Sequence, residues 1–268
     1  MVDSFAHPTP SSARMINFPS RSTLILRKTS NPRLRLFLLP FAGAGASAFR
    51  TWPDAMPSDI EIYALQPPGR ENRIAEAPFV SLVDLVRALA EDISGLTHDP
   101  FAFFGHSMGA LVAFELSREL RRRGQGEPLH LVVSGFRAPQ LPQRRPPLHR
   151  LADDRLVGEL RNLGGTPPEV LDQPDLLGLV LPTLRADLAV SETYDYRSEP
   201  PLTCQVSAWG GKQDPYLDEA ELHSWSATTS GPFAVQRFPG GHMYVVTAST
   251  TLARQLGETL TEKRVQRE

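Results

Sequence analysis

The chain has 268 residues, 41% of them hydrophobic and 22% charged, enough for one large domain and unlike collagen, a coiled coil or a disordered polymer. Lys and Arg number 28 against 30 Asp and Glu, a net charge of -2, so whole-chain electrostatics favours neither nucleic acid nor an anionic membrane. The single cysteine, Cys204, rules out an internal disulfide and a cysteine-built zinc site, which suits a reducing cytoplasm and a role in core packing.

Residues 1–30 mix Ser, Pro, Arg and Thr around a short apolar patch at 24–26, which predicts an N-terminal arm that adds at most one edge strand. The first twenty residues carry Asp3, His7, Pro8, Pro10 and Pro19 where a secretory peptide needs an unbroken apolar region. No run approaches the ~18 apolar residues of a membrane span. A cytoplasmic, unprocessed chain without membrane contact is expected. Residues 31–268 then read as one domain. Apolar runs at 34–39, 60–65, 101–104, 129–134 and 206–209 predict strands buried on both faces. Between them, Leu82, Val83, Leu85, Val86, Leu89 and Ile93 form a helical stripe opened by Ser81, with Asp84 three residues on, near to a capping box. A second helix runs over 108–120 and closes with Arg121, Arg122 and Arg123 before Gly124, cations that complement the helix dipole. A last helix is expected at 248–263. Alternating strands and helices predict an α/β fold with a doubly wound, mainly parallel sheet.

Residues 138–201 break the alternation. They hold ten prolines among helical fragments at 151–163, ending in Gly164-Gly165, and at 176–188. An excursion of that length between two strands is too long for a bare loop, which predicts a helical cap, or lid, over the C-terminal edge of the sheet.

The sharpest chemical signal is Gly105-His106-Ser107-Met108-Gly109, between a predicted strand and a predicted helix. A serine on such a turn stands above the sheet edge on a strained backbone, the glycines allow close approach, and the helix N-terminus favours a negative oxygen. Its hydroxyl needs a base and a group that orients that base. Of seven histidines, His7 lies in the arm, His130 begins a strand, and His98, His149 and His223 sit in polar, surface-like contexts. His106, next to the serine, should point away from it. His242 follows Pro239-Gly240-Gly241 after the apolar segment 234–238, on a loop at a strand end. Asp214 lies just beyond the strand 206–209, where it could equally be a turn residue before Pro215. The order Ser107, Asp214, His242, each after a predicted strand, is that of an α/β-hydrolase. The small-residue loop Phe41-Ala42-Gly43-Ala44-Gly45 could aim the N–H of Ala42 at the same point as that of Met108, forming an oxyanion hole. The competing dinucleotide reading, Gly43-x-Gly45-x-x-Ala48 with Glu61 as the ribose acid, is disfavoured because Glu61 stands near the start of its strand and Pro40 interrupts the turn.

Pro40-Phe41-Ala42-Gly43, Pro68-Gly69-Arg70-Glu71, the Ser107 elbow, Leu163-Gly164-Gly165-Thr166-Pro167, Leu184-Arg185-Ala186-Asp187, residues 211–215 and Pro239-Gly240-Gly241-His242 together resemble the type II thioesterases. These are editing enzymes of non-ribosomal peptide and polyketide synthesis. The likeness spans about residues 36–246. It implies a triad of Ser107, Asp214 and His242, an oxyanion hole from Ala42 and Met108, and a substrate acyl or aminoacyl group held as a thioester on the phosphopantetheine of an acyl or peptidyl carrier protein, with no metal and no cofactor. Met243 and Tyr244 depart from the aromatic that often follows the family's histidine, and the arm before Leu34 is longer than usual. Phe41, Phe136, Met243 and Tyr244 are candidate pocket walls. Arg144 and Arg145, with His149 and Arg150, form a basic cluster that could receive a phosphate or an acidic carrier. Carriers of this kind are usually acidic in such a family. Other readings are an esterase or lipase on oxygen esters, a chain-releasing acyltransferase, and a binding scaffold without catalysis. A monomer is expected.

Overall fold

The protein is described by a computed structural model over residues 22–261; residues 1–21 of the expected arm and 262–268, which include the last two positions of the expected helix 248–263, lie outside the described residues. Seven strands form one sheet: β1 Thr23–Arg27, β2 Leu34–Leu39, β3 Ile60–Leu65, β4 Phe101–His106, β5 His130–Ser134, β6 Gln205–Gly211 and β7 Phe233–Phe238. Their order is β1-β3-β2-β4-β5-β6-β7. Only β1 runs antiparallel, against β3 at the edge, so the described end of the arm is part of the sheet. The helices are α1 Leu82–Ile93, α2 Met108–Arg122, α3 Asp153–Leu163, α4 Pro168–Leu171, α5 Pro174–Glu192, α6 Glu219–His223, α7 Tyr244–Thr247 and α8 Ser249–Thr261.

Both faces of the sheet are covered, as near-continuous apolar strands require. Because side chains alternate along a strand, Phe37, Phe103, Leu131 and Val206 share one row across β2, β4, β5 and β6 and pack under α1 and α2. Leu36, Leu38, Phe104 and Val132 face the other way, toward Phe49, Trp52 and α8. Each such fully buried side chain contributes roughly 1.5–3 kcal/mol. Ser81 caps α1 by accepting the Asp84 N–H. Arg121, Arg122 and Arg123 at the end of α2 pair with Glu119, Glu127 and Glu199, so carboxylates as well as solvent receive the cations assigned from the sequence to the helix dipole. Glu61 pairs with Arg35 and accepts from the Tyr63 hydroxyl, which occupies the acid the dinucleotide reading needs.

The lid departs from the main chain path between β5 and β6. It consists of α3, α4 and α5 around its own leucine core of Leu156, Leu160, Leu171, Leu181, Leu184 and Leu188. Gly164 ends α3 in the left-handed conformation, φ 74°, as a C-terminal glycine does. Helix α5 outruns the predicted 176–188 at both ends. Pro174 opens it in the first turn, where a missing N–H costs nothing, and Pro182 sits inside it without ending it.

Glycine placement yields a paired test. A Cβ on Gly109 would strike the carbonyl oxygens of Leu39 and Pro40, whereas one on exposed Gly158, inside α3, would meet nothing. Gly109→Ala is expected to destabilise by about 1–3 kcal/mol and Gly158→Ala to stabilise by about 0.4–1 kcal/mol, both read from chemical denaturation midpoints.

Candidate active site

Parallel pairing brings the carboxyl ends of β4, β6 and β7 to one rim, where open α/β sheets carry their sites. At the end of β4 the backbone turns into α2 through Ser107 at φ 53°, ψ −120°, a conformation that costs a non-glycine residue on the order of 1–3 kcal/mol. The turn closes only because its flanks lack side chains: a Cβ on Gly105 would overlap the Gly109 backbone. The Ser107 N–H donates to the Ser134 carbonyl at 2.7 Å, pinning the turn to β5.

Beyond β6 and β7 the two loops continue the strands' pairing. Lys212 N donates to Phe238 O at 2.8 Å and Gln213 N to Gly240 O at 3.0 Å. The Gln213 side chain accepts from Gly240 N at 2.6 Å. Gly211 permits this approach, since a Cβ there would lie 2.5 Å from Gly241 O. The zipped loops bring the three candidate residues together. His242 Nε2 is 3.1 Å from Ser107 Oγ, and His242 Nδ1 is 2.8 Å from Asp214 Oδ2. The other oxygen, Asp214 Oδ1, accepts the Tyr216 N–H at 2.8 Å, so the acid is both a turn residue and the partner of the imidazole. Its side chain is fully shielded from solvent, that of His242 nearly so.

His106 points away from the serine, as expected, but lands behind His242 with ring centroids 5.4 Å apart. Its Nδ1 meets Ser134 Oγ at 2.9 Å, and that hydroxyl meets the Tyr244 hydroxyl at 2.5 Å. Burial, reinforced by the neighbouring His242, holds the His106 imidazole well below the ordinary histidine range. It stays neutral and cannot compete with His242 for a proton. Tyr244 is thereby corrected as a pocket wall. It opens α7, is fully buried with its ring stacked on Phe238, and faces the core.

For the oxyanion, the first turn of α2 leaves N–H groups without helical acceptors, Met108 among them. The Ala42 N–H has no acceptor among the described residues. A cavity of about 540 Å³ opens over Ser107 and His242, with Phe41, Phe136, Met243 and the lid leucines Leu160 and Leu188 among its walls. That size holds a substantial acyl group. Arg144 and Arg145 stand at its rim but have internal partners. Arg144 pairs with Asp218 and Glu221, and the Arg145 guanidinium lies 4.2 Å over the Tyr216 ring. His149 is held rather than solvated, its Nδ1 2.7 Å from Glu192, whereas His98 and His223 are exposed. His130 is buried with Nε2 2.8 Å from Ser207 Oγ. Cys204 packs in the core, its thiol pushed up to about 12 by burial and by Glu127, consistent with the packing role. Two residues with no assigned role in the sequence, Arg70 and Asp187, meet beside the oxyanion loop. Their one signal was membership of two short motifs, which says nothing of a contact across 117 positions.

A neutral, buried His106 must gain a proton on unfolding below about pH 6.5. The unfolded state therefore binds more protons there, and stability falls as pH drops from about 6.5 toward the depressed folded value, by at most about 1.4 kcal/mol per pH unit. His106→Gln removes that component. Its unfolding free energy, from urea titrations between pH 6.5 and 5.5, is expected to fall less steeply than that of the wild type, and parallel slopes would contradict the burial argument.

A sequence model described as the thioesterase domain matches residues 34–260. The gramicidin S biosynthesis protein GrsT of Aneurinibacillus migulanus is 44% identical over 216 residues, covering 81% of this chain and 84% of its own. Among solved structures, the RedJ thioesterase of the prodiginine pathway in Streptomyces coelicolor superposes with a TM-score of 0.80 at 38% identity, over 85% of this chain and 90% of its own. The type II thioesterase BorB of the borrelidin cluster does so at 0.81 and 35%, over 89% and 97%. With a thioesterase model matching most of the chain and superposition at TM-scores of 0.80 and 0.81, this chain belongs to the thioesterases, with a type II thioesterase of a biosynthetic cluster among its relatives, and is a hydrolase of thioesters on an α/β-hydrolase fold.

Proposed function

We propose that the protein removes acyl or aminoacyl groups from the phosphopantetheine thiol of acyl or peptidyl carrier proteins, acting as a monomer through an acyl-Ser107 intermediate. The observation that carries this reading is the hydrogen-bonded chain from Ser107 through His242 to Asp214 at the floor of a lidded chamber. His242 takes the Ser107 proton as Oγ attacks the thioester carbonyl, and Asp214 holds the tautomer and stabilises the imidazolium. The N–H groups of Ala42 and Met108 receive the developing oxyanion, one such donor being worth on the order of 3 kcal/mol. The thiolate leaves with the proton from His242. Water, deprotonated by the same imidazole, then cleaves the acyl-serine to a free acid. The scheme draws only on side chains and backbone donors, without metal or dissociable cofactor.

The substrate class rests on relatives: GrsT, RedJ and BorB bear names tied to gramicidin S, prodiginine and borrelidin biosynthesis. None of the helices among the described residues is long and apolar enough to cross a membrane.

Ser107→Ala is expected to cut acyl release from a loaded carrier by about 10³-fold or more, followed by mass spectrometry, while the thermal transition stays close to that of the wild type. An active alanine variant would overturn the acyl-serine route. Faster turnover of a p-nitrophenyl ester than of a carrier bearing the same acyl chain would overturn the substrate class.

The rim arginines Arg144 and Arg145 are assigned to guiding the acidic carrier. Reversing both to Glu is expected to raise KM for the carrier several-fold at low salt, an excess that fades as salt screens exposed charge. Unchanged carrier turnover at low salt would remove docking from their role.

A further inference from the structure

Three N–H groups of the oxyanion loop, those of Gly43, Ala46 and Ser47, are held by side chains from elsewhere in the fold. The loop leaves β2 at Pro40, turns with Ala44 N donating to Phe41 O at 3.0 Å, and passes through Gly43 at φ 79°. Ala46 N and Ser47 N are bound by the side chains of Gln66 at 2.6 Å and Glu71 at 3.2 Å. Gly43 N donates to Asp187 Oδ2 at 2.7 Å. The donors of Gly43, Ala44, Ala46 and Ser47 are thus spent inside the protein, while that of Ala42 is left over for the cavity.

Asp187 lies on lid helix α5. It is 2% exposed, and Arg70 at 5% grips it with Nη1 at 2.5 Å and Nη2 at 2.7 Å. Arg70 Nη1 also reaches Ala44 O at 3.3 Å and its Nε reaches Pro68 O at 3.2 Å. Burial holds the Asp187 carboxyl above the ordinary carboxylate range, although the Arg70 fork and the Gly43 N–H pull the other way. Helix α5 touches the loop a second time through Leu184, whose Cδ1 lies 2.9 Å from where a Cβ on Gly43 would sit. Helix α5 also holds the turn that carries Arg70, through Thr183 Oγ1 donating to Gly69 O at 2.8 Å. A buried ion pair adds little net stability over an apolar pair of the same volume. What this pair does supply is direction, because Asp187 Oδ2, already gripped by Arg70 Nη1, also accepts one N–H of the loop.

We propose that Asp187, braced by Arg70, is a positioning residue of the oxyanion hole: it fixes Gly43 N–H, thereby aims the adjacent Ala42 N–H at the thioester oxygen, and makes the seating of α5 a condition for an assembled hole. The proposal rests on the acyl-Ser107 reading. It divides the lid into two parts. The stretch of α5 from Leu181 onward, with Thr183, Leu184, Asp187 and Leu188, is a fixed post of the catalytic site. Substrate admission falls to α3, α4 and the exposed start of α5.

Removing one oxyanion donor outright costs about 10²–10³-fold in kcat, and loosening its aim should cost less. Asp187→Ala is expected to lower kcat by about 10–10²-fold per natively folded molecule, counted by near-ultraviolet circular dichroism, with KM changed less than about twofold. A trifluoromethyl ketone of the same acyl chain, which forms a tetrahedral oxyanion on serine, should lose affinity by the same factor. Affinity for the free acid product should hold. Asp187→Asn, which keeps an oxygen for the Gly43 N–H, should fall between alanine and wild type. Should the alanine variant not fold, Gly43→Ala displaces the same loop against Leu184 without touching the ion pair and is expected to give the same signature. Wild-type kcat in Asp187→Ala, or product affinity and KM worsening in step with kcat in either variant, would overturn the proposal. A wild-type enzyme indifferent to the ketone would strike the acyl-serine reading itself, a separate failure.

Discussion

Ser107 is held at φ 53° between a strand and a helix, and most of the site's construction serves that one strained residue. The turn is narrow enough to lift a hydroxyl above the sheet only because Gly105 and Gly109 let α2 lie against the end of β2 and against its own entry. The same approach brings the first N–H groups of α2 close to the loop that leaves β2. Strain of this kind persists where the surroundings over-determine it. Here they are a six-residue buried strand, a fifteen-residue helix and a backbone bond to Ser134.

Around this turn, parts distant in the chain are made rigid by backbone pairing. The acid and histidine loops are stitched to one another by Lys212, Gln213 and Gly240, so the Asp214–His242 contact inherits the register of β6 and β7. Behind the imidazole, His106, Ser134 and Tyr244 form a buried polar chain that gives the ring a neutral backing. Above it the lid keeps a separate leucine core, against which Ala42 also packs. The chamber therefore has a rigid floor and a roof that is a packing unit of its own. This division suits an enzyme that must exclude water during acyl transfer and admit a flexible arm before it.

The sheet was legible because parallel strands covered on both faces read as apolar runs, and five of the seven were found by that signal alone. The elbow was legible because it is local. Ser107, its glycines and its helix occupy consecutive positions, so spacing and context carry the same message. The triad's other members were legible as candidates, since Asp214 and His242 each follow a strand, and chain order linked them. Tyr244 reads as a pocket wall in the sequence, and is not one, for the converse reason. Adjacency to His242 says nothing about which way a helix-opening side chain turns, and its hydroxyl turned to Ser134. His149, placed with the solvated rings, bonds Glu192 instead, a contact between two ends of the lid that 43 intervening residues conceal.

By itself the sequence determined the layer architecture and the helical excursion between the fifth and sixth strands, and it singled out a serine, an acid and a histidine as candidates for acyl transfer. Those follow from periodicity, turn chemistry and order, which are properties of short stretches. Tertiary structure alone decided that Arg70, Gly43 and Asp187 share one buried contact, that Arg144 and Arg145 have internal partners at the rim, and that His106 backs His242 rather than facing solvent. Each depends on side chains from separate elements meeting in a low-dielectric interior, where the fold chooses the partners and no local pattern encodes the choice.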